Sequence, residues 1–159
     1  PKGVRPAYAP VLLLEPRTVE NASAVGYDMF SDPVRREAMA RAIQTGRPQL
    51  TGPVQLVQDV RQEVGFLLYR AVYRDARSAS TPAGRQQGAQ GFVYLPLRAR
   101  AFVADTLGPL RASTRFRISD VTGGAEMLLY ASGQLEPAPG EDPPVFRHTS
   151  TLPHYGRTW

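Results

Sequence analysis

Apolar positions recur at two different spacings along the chain, and the change from one to the other predicts its elements. Residues 8–16 hold an apolar run, Val11 to Leu14, between Pro10 and Pro16, the pattern of a buried strand. Residues 21–28 predict a turn leading into a short strand, 25–28. Helical spacing follows: Val34, Ala38 and Ala42, with Met39 and Ile43 beside them, form one apolar face. Ser31 and Asp32 are N-cap residues and Pro33 suits the first helical position. Arg35, Arg36, Glu37 and Arg41 are expected to point away from that face. Gly46 ends the helix and Pro48 prevents its return.

The spacing then shortens to that of strands. Residues 50–57 predict one, with Pro53 making its middle an edge or a bulge. Residues 65–73 are apolar on both alternating faces, which predicts a central strand covered on both sides. Residues 58–63 between them read as a polar turn. Residues 75–90 offer almost nothing to bury and predict an exposed linker or loop. A strand at 91–97 and a second helix at 99–107 come next. Phe102, Val103, Thr106 and Leu107 form that helix's apolar side, and Gly108-Pro109 closes or kinks it. Residues 115–121 alternate as a half-buried strand, 122–124 turn, and 127–130 form another strand. A Pro- and acid-rich loop at 133–144 and an extended segment at 146–159 complete the chain. Helices and strands do not alternate regularly, so the fold class is α+β with antiparallel sheets rather than a doubly wound parallel fold.

Composition narrows the function. With 42% hydrophobic and 21% charged residues among 159, the chain is globular. No apolar run approaches the ~20 residues that cross a bilayer. The start, Pro1-Lys2-Gly3-Val4-Arg5, has no apolar signal core, and we expect a fragment of a longer protein. The absence of cysteine excludes disulfides, thiolate metal sites and a cysteine nucleophile. The formal charge of +5 raises nucleic acid as a partner, but all except one of the 19 basic residues are arginines scattered along the chain without a recognition motif. No nucleic-acid partner is expected.

Catalytic patterns are missing. There is no Gly-x-Ser-x-Gly elbow, and Gly84-Arg85-Gln86-Gln87-Gly88 lacks the Lys-Ser/Thr of a phosphate loop. His148 and His154 would face one side of an extended segment, but no carboxylate at a recognised spacing joins them. No enzyme activity, metal or cofactor is expected of this fragment. One acid stands out. Asp28 sits between Val25-Gly26-Tyr27 and Met29-Phe30, where a carboxylate needs partners. It either accepts backbone N–H groups at the start of the helix or aims into a small-molecule pocket.

Several of these stretches together resemble one family. They are Leu14-Glu15-Pro16, Glu20-Asn21 and Gly26-Tyr27-Asp28, then residues 32–42, Thr45-Gly46-Arg47-Pro48, residues 50–58 and residues 65–73. In this order and spacing they resemble the CHASE domain, as does the closing Tyr155-Gly156-Arg157-Thr158-Trp159. The resemblance implies an extracytoplasmic sensor, periplasmic in a bacterial inner-membrane protein, that regulates a cytoplasmic histidine kinase or diguanylate cyclase/phosphodiesterase. It implies a stalk helix before this fragment, a membrane-distal PAS-like lobe (1–98), a connecting helix (99–111) and an incomplete membrane-proximal PAS-like lobe (112–159). It also implies a small-molecule ligand, a homodimer in the full-length receptor and membrane anchoring outside the fragment. The related plant cytokinin receptors hold their ligand with an aspartate matching Asp28 and a leucine backbone matching Leu50. The expected ligand-binding residues are therefore Asp28, Met29, Leu50, Thr51, Phe66, Leu68 and Tyr69, with Leu12, Leu14 and Met39 as further lining. The receptors' pocket threonine falls near Gln58-Asp59-Val60, where this chain has none, so a ligand other than cytokinin is expected. The alternative is a dimerisation ectodomain without a small ligand.

Overall fold

A computed structural model describes residues 4–57, 63–107, 114–133 and 146–159. The chain is α+β, with helices against several small antiparallel sheets. Its organising strand is β3 (Val64–Tyr73). On one edge β3 pairs with β4 (Ala89–Arg98) along almost its whole length. On the other edge two short strands share it. β1 (Gln49–Leu50) pairs with Leu68 and Tyr69, and β2 (Val54–Gln55) pairs with Val64 and Gly65.

The single strand expected over 50–57 is thus two, broken at Gly52-Pro53, because proline supplies no ladder donor. Thr51 bridges the break. Its N–H donates to the Leu67 carbonyl oxygen (2.9 Å), and its Oγ1 accepts from the Leu67 N–H (3.0 Å). Where Leu56 crosses, an added Cβ on Gly65 would lie 2.6 Å from Leu56 Cγ, so only glycine admits the approach.

The helix α2 (Pro33–Thr45) has the expected limits. The Asp32 side chain accepts from Arg35 N–H, and Gly46 closes the helix in the left-handed region at φ 68°. Its inward face differs. Arg35, Ala38, Met39 and Ala42 are buried, whereas Val34 and Ile43 are only half-buried. The expectation that Arg35 points away from the core is corrected. It starts the i, i+3, i+4, i+7 stripe that meets the sheet.

Three further expectations change. Residues 75–90 are not a loop. They form α3 (Ala76–Ser80) and α4 (Pro82–Gly88), and β4 starts at Ala89. Asp75 and Thr81 cap the two helices, accepting from Ser78 N–H and Gly84 N–H. Local caps here replace the apolar face that helix reading looks for. Arg85 fastens α4 to the end of α2 through two bonds to the Gln44 carbonyl oxygen, 3.0 and 2.7 Å. Second, residues 8–16 and 25–28 are not strands. They meet in one antiparallel bridge, Pro10 with Asp28, and residues 19–22 form a short helix, α1 (Val19–Ala22). Third, residues 146–159 end in a hairpin, β7 (Pro153–His154) with β8 (Arg157–Thr158). Tyr155 and Gly156 both have positive φ, 44° and 78°, as the right-handed twist of a two-residue hairpin requires.

α5 (Ala99–Leu107) follows β4 directly. It buries Ala99 and Val103, while Phe102 on the expected apolar side stays 38% exposed. β5 (Arg117–Asp120) and β6 (Met127–Ala131) pair antiparallel. Most of the expected turn at 58–63, the Gly108-Pro109 closure and most of the 133–144 loop lie outside the described residues.

Successive residues of β3 face opposite ways, so the sheet has two cores. Leu67 and Tyr69 face α2 and join Met29, Ala38, Met39, Ala42 and Leu56. Phe66 faces away and joins Leu50, Ala99 and Leu129, with Leu68, Leu97, Ile118 and Trp159 against them. The second core is tied to β8 by Arg157, which holds Asp120 Oδ2 through Nε (2.9 Å) and Nη2 (2.5 Å). No helix among the described residues is long and apolar enough to cross a membrane.

Candidate functional site

Asp28 lies where the N-terminal segment crosses the start of a 3-10 turn, Met29–Ser31. Its Oδ1 accepts the Ala9 N–H at 2.9 Å and the Phe30 N–H at 3.0 Å, and its Oδ2 pairs with Arg5. Burial would raise the carboxyl's pKa. The backbone donors of Ala9 and Phe30, followed by the Arg5 charge, reverse that and hold it below the ordinary carboxylate value. The side chain retains 17% exposure, so water still reaches part of it. Arg5 in turn lies over the Tyr8 ring at 4.8 Å.

The expected binding residues divide between the two sheet faces. Met29 and Tyr69 share the α2 core with Met39 and Leu14, and Asp28 adjoins Met29 in sequence. Leu50, Phe66 and Leu68 belong to the opposite core. Thr51 is 2% exposed and spends its hydroxyl on the Leu67 N–H. Leu12, expected as lining, is 84% exposed. Strand alternation separates Phe66 and Leu68 from Tyr69, so one pocket against one face cannot use all three side chains.

The α2-facing side also holds polar groups absent from that expected set. The Arg35 guanidinium lies 4.9 Å from the centre of the Tyr27 ring. Its Nη2 donates to the Gln55 carbonyl oxygen at 2.6 Å, and Nη1 to the Met29 sulfur at 3.6 Å. Tyr69 and Tyr94 are neighbours across β3 and β4, with ring centres 5.8 Å apart. Burial pushes both phenols above their ordinary pKa and the Arg35 charge opposes it, so both stay protonated donors at neutral pH. Phe92 meets Tyr69 edge-on at 6.0 Å and Phe30 at the same distance. Helical periodicity hid Arg35, and Tyr94 sat in a strand read only for its apolar pattern.

A separate groove of about 430 Å³ lies between the N-terminal segment, the end of β4 and α5, with Glu15, Arg98 and Asp105 among its lining. None of the seven expected residues lines it. The histidines do not meet. His148 contacts Ser150 Oγ at 2.7 Å and stacks on Phe146, while His154 lies against Tyr155 and Trp159. No group of three or more metal-ligating side chains occurs among the described residues.

A family model described as CHASE domain matches residues 1–130, most of the chain and all of the sheet around β3. The chain belongs to the CHASE family. CHASE domains are extracytoplasmic sensor modules of receptors and are sensory rather than catalytic. The match stops at residue 130, so the closing Tyr155–Trp159 resemblance lies outside it. Among curated proteins there is no match.

Proposed function

We propose that this CHASE domain is the ligand-binding part of a transmembrane receptor. It takes up a small organic molecule outside the membrane and passes its occupancy to a cytoplasmic histidine kinase or diguanylate cyclase/phosphodiesterase. On this proposal residues 1–98 are a membrane-distal PAS-like lobe, 99–111 a connecting helix and 112–159 a membrane-proximal lobe, in a receptor that works as a homodimer. The family match over residues 1–130 carries the reading. Support comes from the α2 side of the sheet, where polar groups are set into an apolar, aromatic surround, the usual composition of a small-molecule site. Asp28 supplies an acceptor at the edge of that core, and Met29 and Tyr69 supply apolar wall. The free energy passed onward is the ligand's preference for one arrangement of the receptor over the other.

One observation favours a second reading, a structural dimerisation domain. Val72, Val93 and Leu95 leave an apolar strip 43–65% exposed on the outer sheet face. A thermal-shift screen of soluble metabolites, repeated at several protein concentrations, separates the two. Ligand at a hundred times its Kd stabilises by about 2.7 kcal/mol, which raises Tm by about 5–11 °C. Such a shift supports sensing. A Tm that follows protein concentration and no metabolite supports dimerisation alone.

A further inference from the structure

Arg35 is the one buried arginine among the described residues, at 2% exposure. A charge taken out of water normally faces a carboxylate, because the desolvation cost is several kcal/mol per ion. Among the described residues no carboxylate is ion-paired with Arg35. Its polar contacts are a carbonyl oxygen, a thioether sulfur and the face of a phenol ring. The nearby Asp32 uses its side chain on the Arg35 main-chain N–H instead.

Among the described residues three buried donors in this region have no acceptor: Arg35 Nε, the Tyr69 hydroxyl and the Tyr94 hydroxyl. Tyr69 is fully buried with its ring centre 5.8 Å from that of Tyr94, and Met29, which Arg35 contacts, lies in the same core. A buried polar group left without a partner costs about 1–3 kcal/mol, and phenylalanine would fill either tyrosine position without that cost. A cation whose Nε–H is still free, although Nη1 and Nη2 already donate to Met29 and Gln55, and two free neutral O–H donors complement a single anionic acceptor with two oxygens. Around them stand Tyr27, Phe30 and Phe92, with Met29 and Met39 on the same core. Flat aromatic walls suit a flat ligand, and unbranched methionines re-pack to admit one.

We infer that Arg35, Tyr69 and Tyr94 bind the carboxylate of a small planar organic acid in the core between α2 and the β3–β4 sheet. The inference rests on the ligand-sensing reading and names the ligand's chemical class. Asp28 then contacts a different, N–H-bearing part of the ligand.

Benzoate serves as the probe and benzamide as its neutral counterpart of the same shape, titrated calorimetrically into the 159-residue chain. Benzoate is expected to bind, with benzamide and the Arg35→Gln variant each weaker by about ten-fold or more. Tyr69→Phe and Tyr94→Phe are expected to weaken benzoate while leaving the ligand-free Tm unchanged or higher, because neither hydroxyl has a partner to lose. Tyrosines with a purely structural role would instead lower Tm on losing the hydroxyl, and that result overturns the inference. So does benzoate that fails to bind, binds no better than benzamide, or ignores Arg35→Gln. The sensing reading has a separate fate. A neutral or cationic metabolite that stabilises the chain independently of Arg35 overturns the carboxylate site and leaves sensing standing. No stabilisation by any metabolite or by benzoate removes both.

Discussion

Asp28 offers a perturbation whose two outcomes differ in magnitude. Asp28→Ala deletes the acceptor of two backbone N–H groups, Ala9 at 2.9 Å and Phe30 at 3.0 Å, and the partner of Arg5. A hydrogen bond to a charged group contributes about 1.5–3 kcal/mol, and water at the accessible edge recovers part of that loss. The Arg5 pair is partly exposed and adds about 0–1 kcal/mol. The sum is a destabilisation of about 2–4 kcal/mol, a Tm drop of about 4–16 °C for a chain of this size. Asp28→Asn keeps an oxygen for both N–H groups but loses the charge and the Oδ2 acceptor of Arg5, so about 0.5–1.5 kcal/mol is expected. Urea unfolding followed by far-ultraviolet circular dichroism and by the fluorescence of the single tryptophan, Trp159, measures both. The pH dependence follows from the same contacts. Because folding lowers the carboxyl's pKa below its ordinary 3.8, the contribution is full well above that value and is lost as pH falls through the depressed one. Asp28→Asn should therefore be less acid-sensitive than the parent chain. An alanine variant losing under about 0.5 kcal/mol refutes the capping geometry. An asparagine variant as unstable as alanine refutes the claim that the acceptor matters more than the charge.

Two other substitutions test how the sheet is tied together. Thr51→Val keeps the shape but strands the buried Leu67 N–H, and a loss of about 1–3 kcal/mol in urea unfolding is expected. Asp120→Ala leaves Arg157 unpaired at a site where the aspartate side chain is 3% exposed; about 3–5 kcal/mol should be lost, with an altered Trp159 emission at the neighbouring β8.

How far the sequence could be read depends on which force shaped each segment. The α2 helix was legible at both limits, because Asp32, Pro33 and Gly46 act locally. β3 was legible because its apolar pattern largely matches its burial, whereas β4 and α5 were legible in extent but leave Val93, Leu95 and Phe102 exposed. The segment 75–90 was not, since α3 and α4 form on the caps of Asp75 and Thr81 and on the reach of Arg85 to α2, none of which leaves an apolar period. The strand expected at 8–16 failed for the opposite reason. Val11 and Leu14 are buried while Leu12 and Leu13 face water, so an apolar run did not mean a ladder. At the site, family likeness pointed to Asp28, but alternation along β3 decides which side chains share a face. Arg35 was invisible because a charged residue on an amphipathic helix is ordinarily placed outside.

The account centres on a CHASE domain that holds a small organic molecule, so the most direct test is what comes away with the folded chain. The protein is purified under non-denaturing conditions, the bound fraction is released by denaturation, and small molecules are identified by mass spectrometry. The account predicts one organic compound near a one-to-one ratio, diminished in a folded Asp28→Asn variant and carrying a carboxylate if Arg35 binds it. A folded chain that releases no compound, and gains no stability from concentrated extract of its own host cells, contradicts it.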